Sequence, residues 1–212
     1  MKPIGILGGT FDPVHHGHLR LALEVLEAAD LDSVRLIPLY KPPHREPPVA
    51  PASLRQAMLE AAVEGETSLL VDDRELQRKG VSYTVDTLIS LRQEFTDHPI
   101  CLILGLDAFR TLPTWYRWEK LLDLAHIVVC HRPGIQLAAD EPGAHLAKSH
   151  AADSTTYLHA LRAGRVLRQA TPVLDISATR IRGSIATGHS VRYLLPEGVL
   201  ALIRKHRLYD AL

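Results

Sequence analysis

The chain is short of several things that would place it in other classes. It has two cysteines, Cys101 and Cys130, in 212 residues. Each sits inside a short apolar run and reads as a buried, reduced thiol. Two cysteines this far apart form neither a disulfide scaffold nor a CxxC redox or zinc pair. Net charge is absent too: 24 Lys and Arg balance 24 Asp and Glu. A chain without a basic excess does not read as a general polyanion or nucleic-acid binder. No apolar run approaches the roughly 20 residues a membrane helix requires, so no membrane partner is expected. The start, Met1-Lys2-Pro3, passes directly into a strand-like segment and lacks the shape of a signal peptide. These absences fit a reducing cytoplasm. Gly-x-Gly-x-x-Gly is missing, as is a Walker loop with Gly-Lys-Ser/Thr.

What is present is 46% hydrophobic content, enough for one sizeable core and a single domain over 1–212 with a helical C-terminal portion from about 177. The apolar pattern predicts strands at 4–7, 34–39, 69–71, 100–104, 127–130 and 173–176. Helices are predicted at 17–29, 52–63, 83–95, 107–111, 116–124, 177–186 and 196–206, with Ser82 or Thr84 placed to cap the third. Residues 134–150 read as a loop or peripheral helix. The alternation implies an α/β, Rossmann-like, doubly wound and largely parallel sheet with helices on both faces. Ligand-binding turns then fall at the carboxyl edge of that sheet.

The informative stretch runs Gly8-Gly9-Thr10-Phe11-Asp12-Pro13-Val14-His15-His16-Gly17-His18. Gly8 and Gly9 let backbone approach a ligand closely. The first helical turn should offer N–H groups and a positive dipole end to an anion. His15 and His18, three residues apart, can turn both imidazoles to one point. Two imidazole donors and helix amides suit a polyphosphate. His15, His16 and His18 lack the further converging ligands of a zinc site, so no protein-bound metal is expected.

Four later segments carry polar or aromatic groups at strand exits or helix starts. Lys41-Pro42-Pro43-His44-Arg45 is a stiffened basic loop. Ser82-Tyr83-Thr84 opens a helix whose amides can receive a carboxylate or phosphate. Gly105-Leu106-Asp107 and Trp115 follow the fourth strand. Asp107 can accept from a ribose or an amine, and a tryptophan face can stack on a flat ring. Trp118 reads as packing. Ile176-Ser177-Ala178-Thr179-Arg180-Ile181-Arg182 places a capping hydroxyl, Ser177 or Thr179, and an arginine fork at the last helix start.

Gly-Thr-Phe-Asp-Pro-x-His-x-Gly-His resembles the first signature of the nucleotidylyltransferase superfamily. There the two histidines, here His15 and His18, bind ATP phosphates and stabilise the transition state. Residues 176–182 resemble the second, Ile-Ser-Ser-Thr-x-x-Arg, which binds the β- and γ-phosphates; Ala178 departs from its second serine. With the intervening segments the chain looks like a bacterial nicotinate-nucleotide adenylyltransferase, although Arg45 stands where the family usually has lysine. The resemblance implies catalytic roles for His15, His18 and Arg182. It implies ATP contacts from Gly8, Gly9, Thr10, Phe11, Gly105, Asp107, Ile176, Ser177 and Thr179. It implies substrate contacts from Lys41, His44, Arg45, Ser82, Tyr83, Thr84, Asp107, Trp115 and, with a weaker role, Arg132. The expected substrates are ATP, with Mg²⁺, and nicotinate mononucleotide. Adenylylation of nicotinamide mononucleotide or phosphopantetheine, and a non-catalytic nucleotide-binding regulator, are the alternatives. Phosphopantetheine enzymes resemble only the two signatures and are usually shorter.

Overall fold

A computed structural model describes residues 1–43, 46–132, 134, 135, 137, 138, 140–172 and 174–210. The strands are β1 (Ile4–Gly9), β2 (Ser33–Pro38), β3 (Leu69–Val71), β4 (Ile100–Gly105), β5 (His126–His131) and β6 (Val166–Ala170). The helices are α1 (His16–Ala28), α2 (Ala52–Ala62), α3 (Arg74–Arg78), α4 (Thr84–Glu94) and α5 (Leu106–Arg110). They continue with α6 (Leu121–Leu124), α7 (Ala144–Ser149), α8 (Thr156–Ala160), α9 (Ala178–Ala186) and α10 (Glu197–His206).

β4 and β5 are buried along almost their whole length, which is why they read as continuous apolar runs, the mark of central parallel strands. The sheet order is β3-β2-β1-β4-β5-β6. β1 pairs in parallel with β4, β4 with β5 and β5 with β6. The order grows outward from β1 in one direction and then restarts on its other side at β4, as in a doubly wound Rossmann-like sheet. In a sheet of this order, crossovers on either side of the reversal are as a rule right-handed and carry helices to both faces.

Two compact units can be told apart. The first comprises Met1–Leu7, Leu23–Arg35 and Tyr83–Pro172. The second comprises Gly8–Ala22, Leu36–Ser82 and Val173–Leu212. In the first, Arg92 of α4 gathers the carbonyls of Phe95, His98, Leu124 and Arg162, tying the helix to the loops around it. In the second, α10 lies against α2, so close that a Cβ on Gly198 would sit 3.2 Å from the Ala61 methyl.

Several elements differ from expectation. The last strand is β6, not 173–176. Residues 174–176 carry no regular structure, and Val173 lies outside the described residues. β6 has only Val166 and Leu167 buried, while Arg168 is exposed, so its sequence lacks the apolar run of an inner strand. The helix expected at 116–124 begins as a 3-10 turn, Trp118–Lys120, and becomes α6 only at Leu121, because Arg117 takes a left-handed φ of 52°. α3 and α8, five residues each, are too short to show a helical period. Residues 134–150 contain α7.

Candidate active site

β1 delivers the chain to a loop without regular structure of its own, which is held by side chains. In the second unit Leu39 N donates to Gly9 O at 3.0 Å, so β2 leaves the sheet beside the glycine turn. Phe11 adopts φ 50° and buries its ring to 2% exposure beneath Gly9, where an added Cβ would meet the ring at 3.0 Å. The same ring stands edge-on to His18, with centroids 5.0 Å apart.

His15 and His18 are stacked, their centroids 3.7 Å apart and their planes 21° from parallel. His15 N donates to His18 Nδ1 at 3.3 Å, which leaves the His18 hydrogen on Nε2. Burial pushes the His15 pKa down to about 4, with His16 adding to the effect. Burial, reinforced by His15, pushes His18 down to about 3. Both rings are neutral near pH 7, so what each can offer is an N–H rather than a positive charge. His15 Nδ1 is buried without a hydrogen-bond partner among the described residues. Gly17 leaves little room here: a Cβ on it would lie 3.0 Å from His15 Nδ1 and 3.6 Å from the Ile176 Cβ. That contact brings Ile176 to the histidine loop. The expected open amides of the first turn are partly taken. His16 N donates to Leu194 O, and His18 N and Leu19 N both donate to His15 O.

The loop is clamped from below. Asp12, 4% exposed, accepts Val49 N at 2.7 Å, Ala50 N at 3.1 Å and the Tyr209 hydroxyl at 2.6 Å. Arg182 Nη1 donates to Asp12 O at 2.7 Å and Nη2 reaches Thr179 Oγ1 at 3.4 Å, so its fork is anchored rather than free. Arg55, buried on α2, donates to Thr10 O at 2.8 Å, to Ala50 O and to Tyr40 O. Ser177 caps α9 as expected, its Oγ accepting Arg180 N at 3.2 Å. Gly8 and the Lys41 side chain are exposed. Lys41 O accepts Ser82 N at 2.8 Å and Ser82 Oγ accepts Tyr40 N at 2.9 Å. Ser82 is therefore a buried tie and not the cap of α4. Thr84 is not a cap either, being already the first helical residue; the cap position is Tyr83, without a side-chain bond. His44 and Arg45 lie outside the described residues.

The first unit holds the other expected residues. The Tyr83 ring sits 4.5 Å from the Tyr116 ring, tilted by 39°. Trp115 is half-buried, its Nε1 donating to Thr111 Oγ1 at 3.3 Å. Gly105 forms the cap position of α5. Asp107 is 98% exposed and pairs with Arg110 at 3.2 Å. Arg132 is exposed just beyond β5.

A family model described as cytidylyltransferase-like matches residues 6–184. A protein of Pseudomonas fluorescens named probable nicotinate-nucleotide adenylyltransferase is 50% identical, covering 99% of this chain and 98% of that protein. One of the same name from Methylococcus capsulatus is 47% identical, covering 97% and 99%. The chain belongs to the nicotinate-nucleotide adenylyltransferase family. The structure of the Plasmodium falciparum nicotinic acid mononucleotide adenylyltransferase complexed with NaAD matches with a TM-score of 0.76 over 100% of this chain and 99% of that one. At 16% identity that likeness shows a common fold.

In this adenylyltransferase, Asp12, Arg55, Tyr209 and Tyr116 take places that local sequence does not mark. Asp12 lies inside the first signature, where its neighbours His15 and His18 carry the chemical signal. Tyr116 lies in Trp115-Tyr116-Arg117-Trp118, where the tryptophans stand out. Arg55 and Tyr209 carried no signal, because a buried arginine on a helix and a tyrosine near the end of the chain are unmarked until the fold seats them.

Proposed function

We propose that this protein transfers the adenylyl group of ATP to nicotinate mononucleotide, releasing pyrophosphate and giving nicotinate adenine dinucleotide, a step of pyridine dinucleotide synthesis. The full-length identity to relatives of that name carries the reading. The stacked, neutral histidine pair supplies chemistry that suits it.

The mononucleotide 5′-phosphate is already a nucleophile. Its oxygen bonds to the α-phosphorus of ATP as the bond to the bridging oxygen breaks and pyrophosphate leaves. The protein need supply no general base and no covalent intermediate. It holds two polyanions in line and stabilises the charge that grows on the α-phosphate and the leaving group. His18 Nε2–H is a preorganised donor for that oxygen, and the stacked His15 fixes its plane. Arg182, anchored on Asp12 O, meets the β- and γ-phosphates at the capped start of α9. Tyr83, Thr84 and Trp115 receive the pyridine ring and its carboxylate. ATP would enter as its Mg²⁺ complex, the ion supplying charge neutralisation at the phosphates. Among the described residues no three His, Cys, Asp or Glu side chains cluster as metal ligands, and the Asp12 carboxylate already accepts three donors. Magnesium bound to the nucleotide would take phosphate oxygens and water as ligands, as its reluctance to dehydrate favours. We place the reaction in the cytoplasm, which the free, buried Cys101 and Cys130 favour. No described helix is long and apolar enough to cross a membrane.

The test is pyrophosphate release from ATP and Mg²⁺ with each of three acceptors. Nicotinate mononucleotide should be preferred. Equal use of nicotinamide mononucleotide would refute a selective carboxylate site. Preference for phosphopantetheine, or no release with any acceptor, would overturn the reading.

A further inference from the structure

We propose that Tyr209, close to the end of the chain, is a positioning residue of the ATP site, acting on His15 and Arg182 through Asp12. The inference rests on the adenylyl-transfer reading above and adds a residue that neither signature contains.

The loop from Thr10 to His15 has no ladder or helix to hold it. It contains a bulky residue, Phe11, in left-handed conformation, which persists only where surroundings over-determine it. Asp12 is where that determination converges. Its carboxylate takes the Val49 and Ala50 amides and the Tyr209 hydroxyl, and its carbonyl takes Arg182. Three residues further on is His15. Displacement of Asp12 would therefore shift a phosphate arginine and the histidine stack together.

Of the three donors on the carboxylate, the two amides come from the segment just before α2, while the third comes from 197 residues away. Tyr209 is itself 8% exposed and held at a left-handed φ of 67°. α10 brings it there: the helix packs on α2 and ends at His206, Arg207 caps it in left-handed conformation, and Leu208 N turns back to Ile203 O. Burial, together with the Asp12 carboxylate, raises the Tyr209 pKa, so it remains a phenol and a donor. Without that hydroxyl, a buried carboxylate keeps two neutral amides and an oxygen without its hydroxyl donor, and relaxes. Asp12, Arg182, His15, His18 and Tyr209 all belong to the second unit, whereas Tyr83 and Trp115 belong to the first.

The experiment is steady-state kinetics of full-length Tyr209→Phe, alongside an ATP dissociation constant measured without acceptor. The ATP KM and dissociation constant should each rise about tenfold, the effect of a lost hydrogen bond to a charged group. The KM for nicotinate mononucleotide should stay within about twofold. Asp12→Asn should show the same split, and the double variant should be little worse than Asp12→Asn alone, because both changes remove one interaction. Unchanged ATP constants would overturn the proposal. So would equal shifts for both substrates, since that pattern marks general loosening. If Tyr209→Phe melts below the assay temperature, the split or its absence in Asp12→Asn decides. An unaltered protein that fails to make pyrophosphate with nicotinate mononucleotide would instead sink the functional reading, and the two failures are separable.

Discussion

His18 shows how one residue's chemistry depends on its neighbours. Its spacing from His15 already allowed both rings to turn to one point. Their neutrality is a property of the folded loop: Phe11 meets the ring edge-on, His15 covers one face, and burial removes the proton. A neutral imidazole with its hydrogen on Nε2 is a fixed donor that needs no reorganisation as charge develops. Replacing it, His18→Ala, should lower kcat by ~10²-fold or more, as for loss of one charge-stabilising donor. Turnover at saturating substrate, on protein shown folded by circular dichroism, measures this, and an unchanged kcat would remove His18 from the mechanism. Gly17 was legible as part of a motif, but its reason was not: the ring it must clear, His15, had to be placed first.

At the scale of elements, α9 and α4 make a contrast. Both follow a segment rich in hydroxyls, and both were expected to carry a side-chain cap. Ser177 lies in extended backbone with its oxygen aimed at Arg180 N, and caps. Ser82 faces the other way, toward Tyr40 N, because Lys41 and Val81 form a parallel bridge that turns it inward. Local sequence cannot distinguish these outcomes, since the competing partner is some forty positions distant. Ser177→Ala should therefore cost about 1 kcal/mol of stability, the usual worth of a serine cap. Urea unfolding read by circular dichroism checks it, and no change in the midpoint would show the cap to be idle. β6 makes the same point for strands. It pairs along β5 from Val166 to Ala170 although only its first two residues are apolar enough to be buried.

At the scale of the molecule, the buried imidazoles couple stability to pH. His15 and His18 have folded pKa values of about 4 and about 3 against 6.5 for the free side chain, and His126 is also lowered, chiefly by burial. Between those values the unfolded chain binds protons that the folded chain does not, so stability rises with pH there. Stability from these groups is complete above 6.5 and is lost progressively below it, that of His15 by about 4 and that of His18 by about 3. The melting temperature of the ligand-free protein should accordingly drop between about pH 7 and pH 4.5, and His18→Asn should flatten that drop. A melting temperature independent of pH over the range would contradict the burial of these rings.

The sequence by itself determined the α/β class, five of the six strands, the histidine pair, a hydroxyl-capped arginine helix and the family. These are local patterns: apolar runs, helical spacing and a motif of adjacent residues. Tertiary structure alone decided that Asp12 is the hub of the loop, that Arg55 and Tyr209 serve it, that Tyr116 lies against Tyr83 and that the last strand is β6. Each of these depends on partners far apart in the chain, and a hydrogen bond across 197 residues leaves no trace in local spacing.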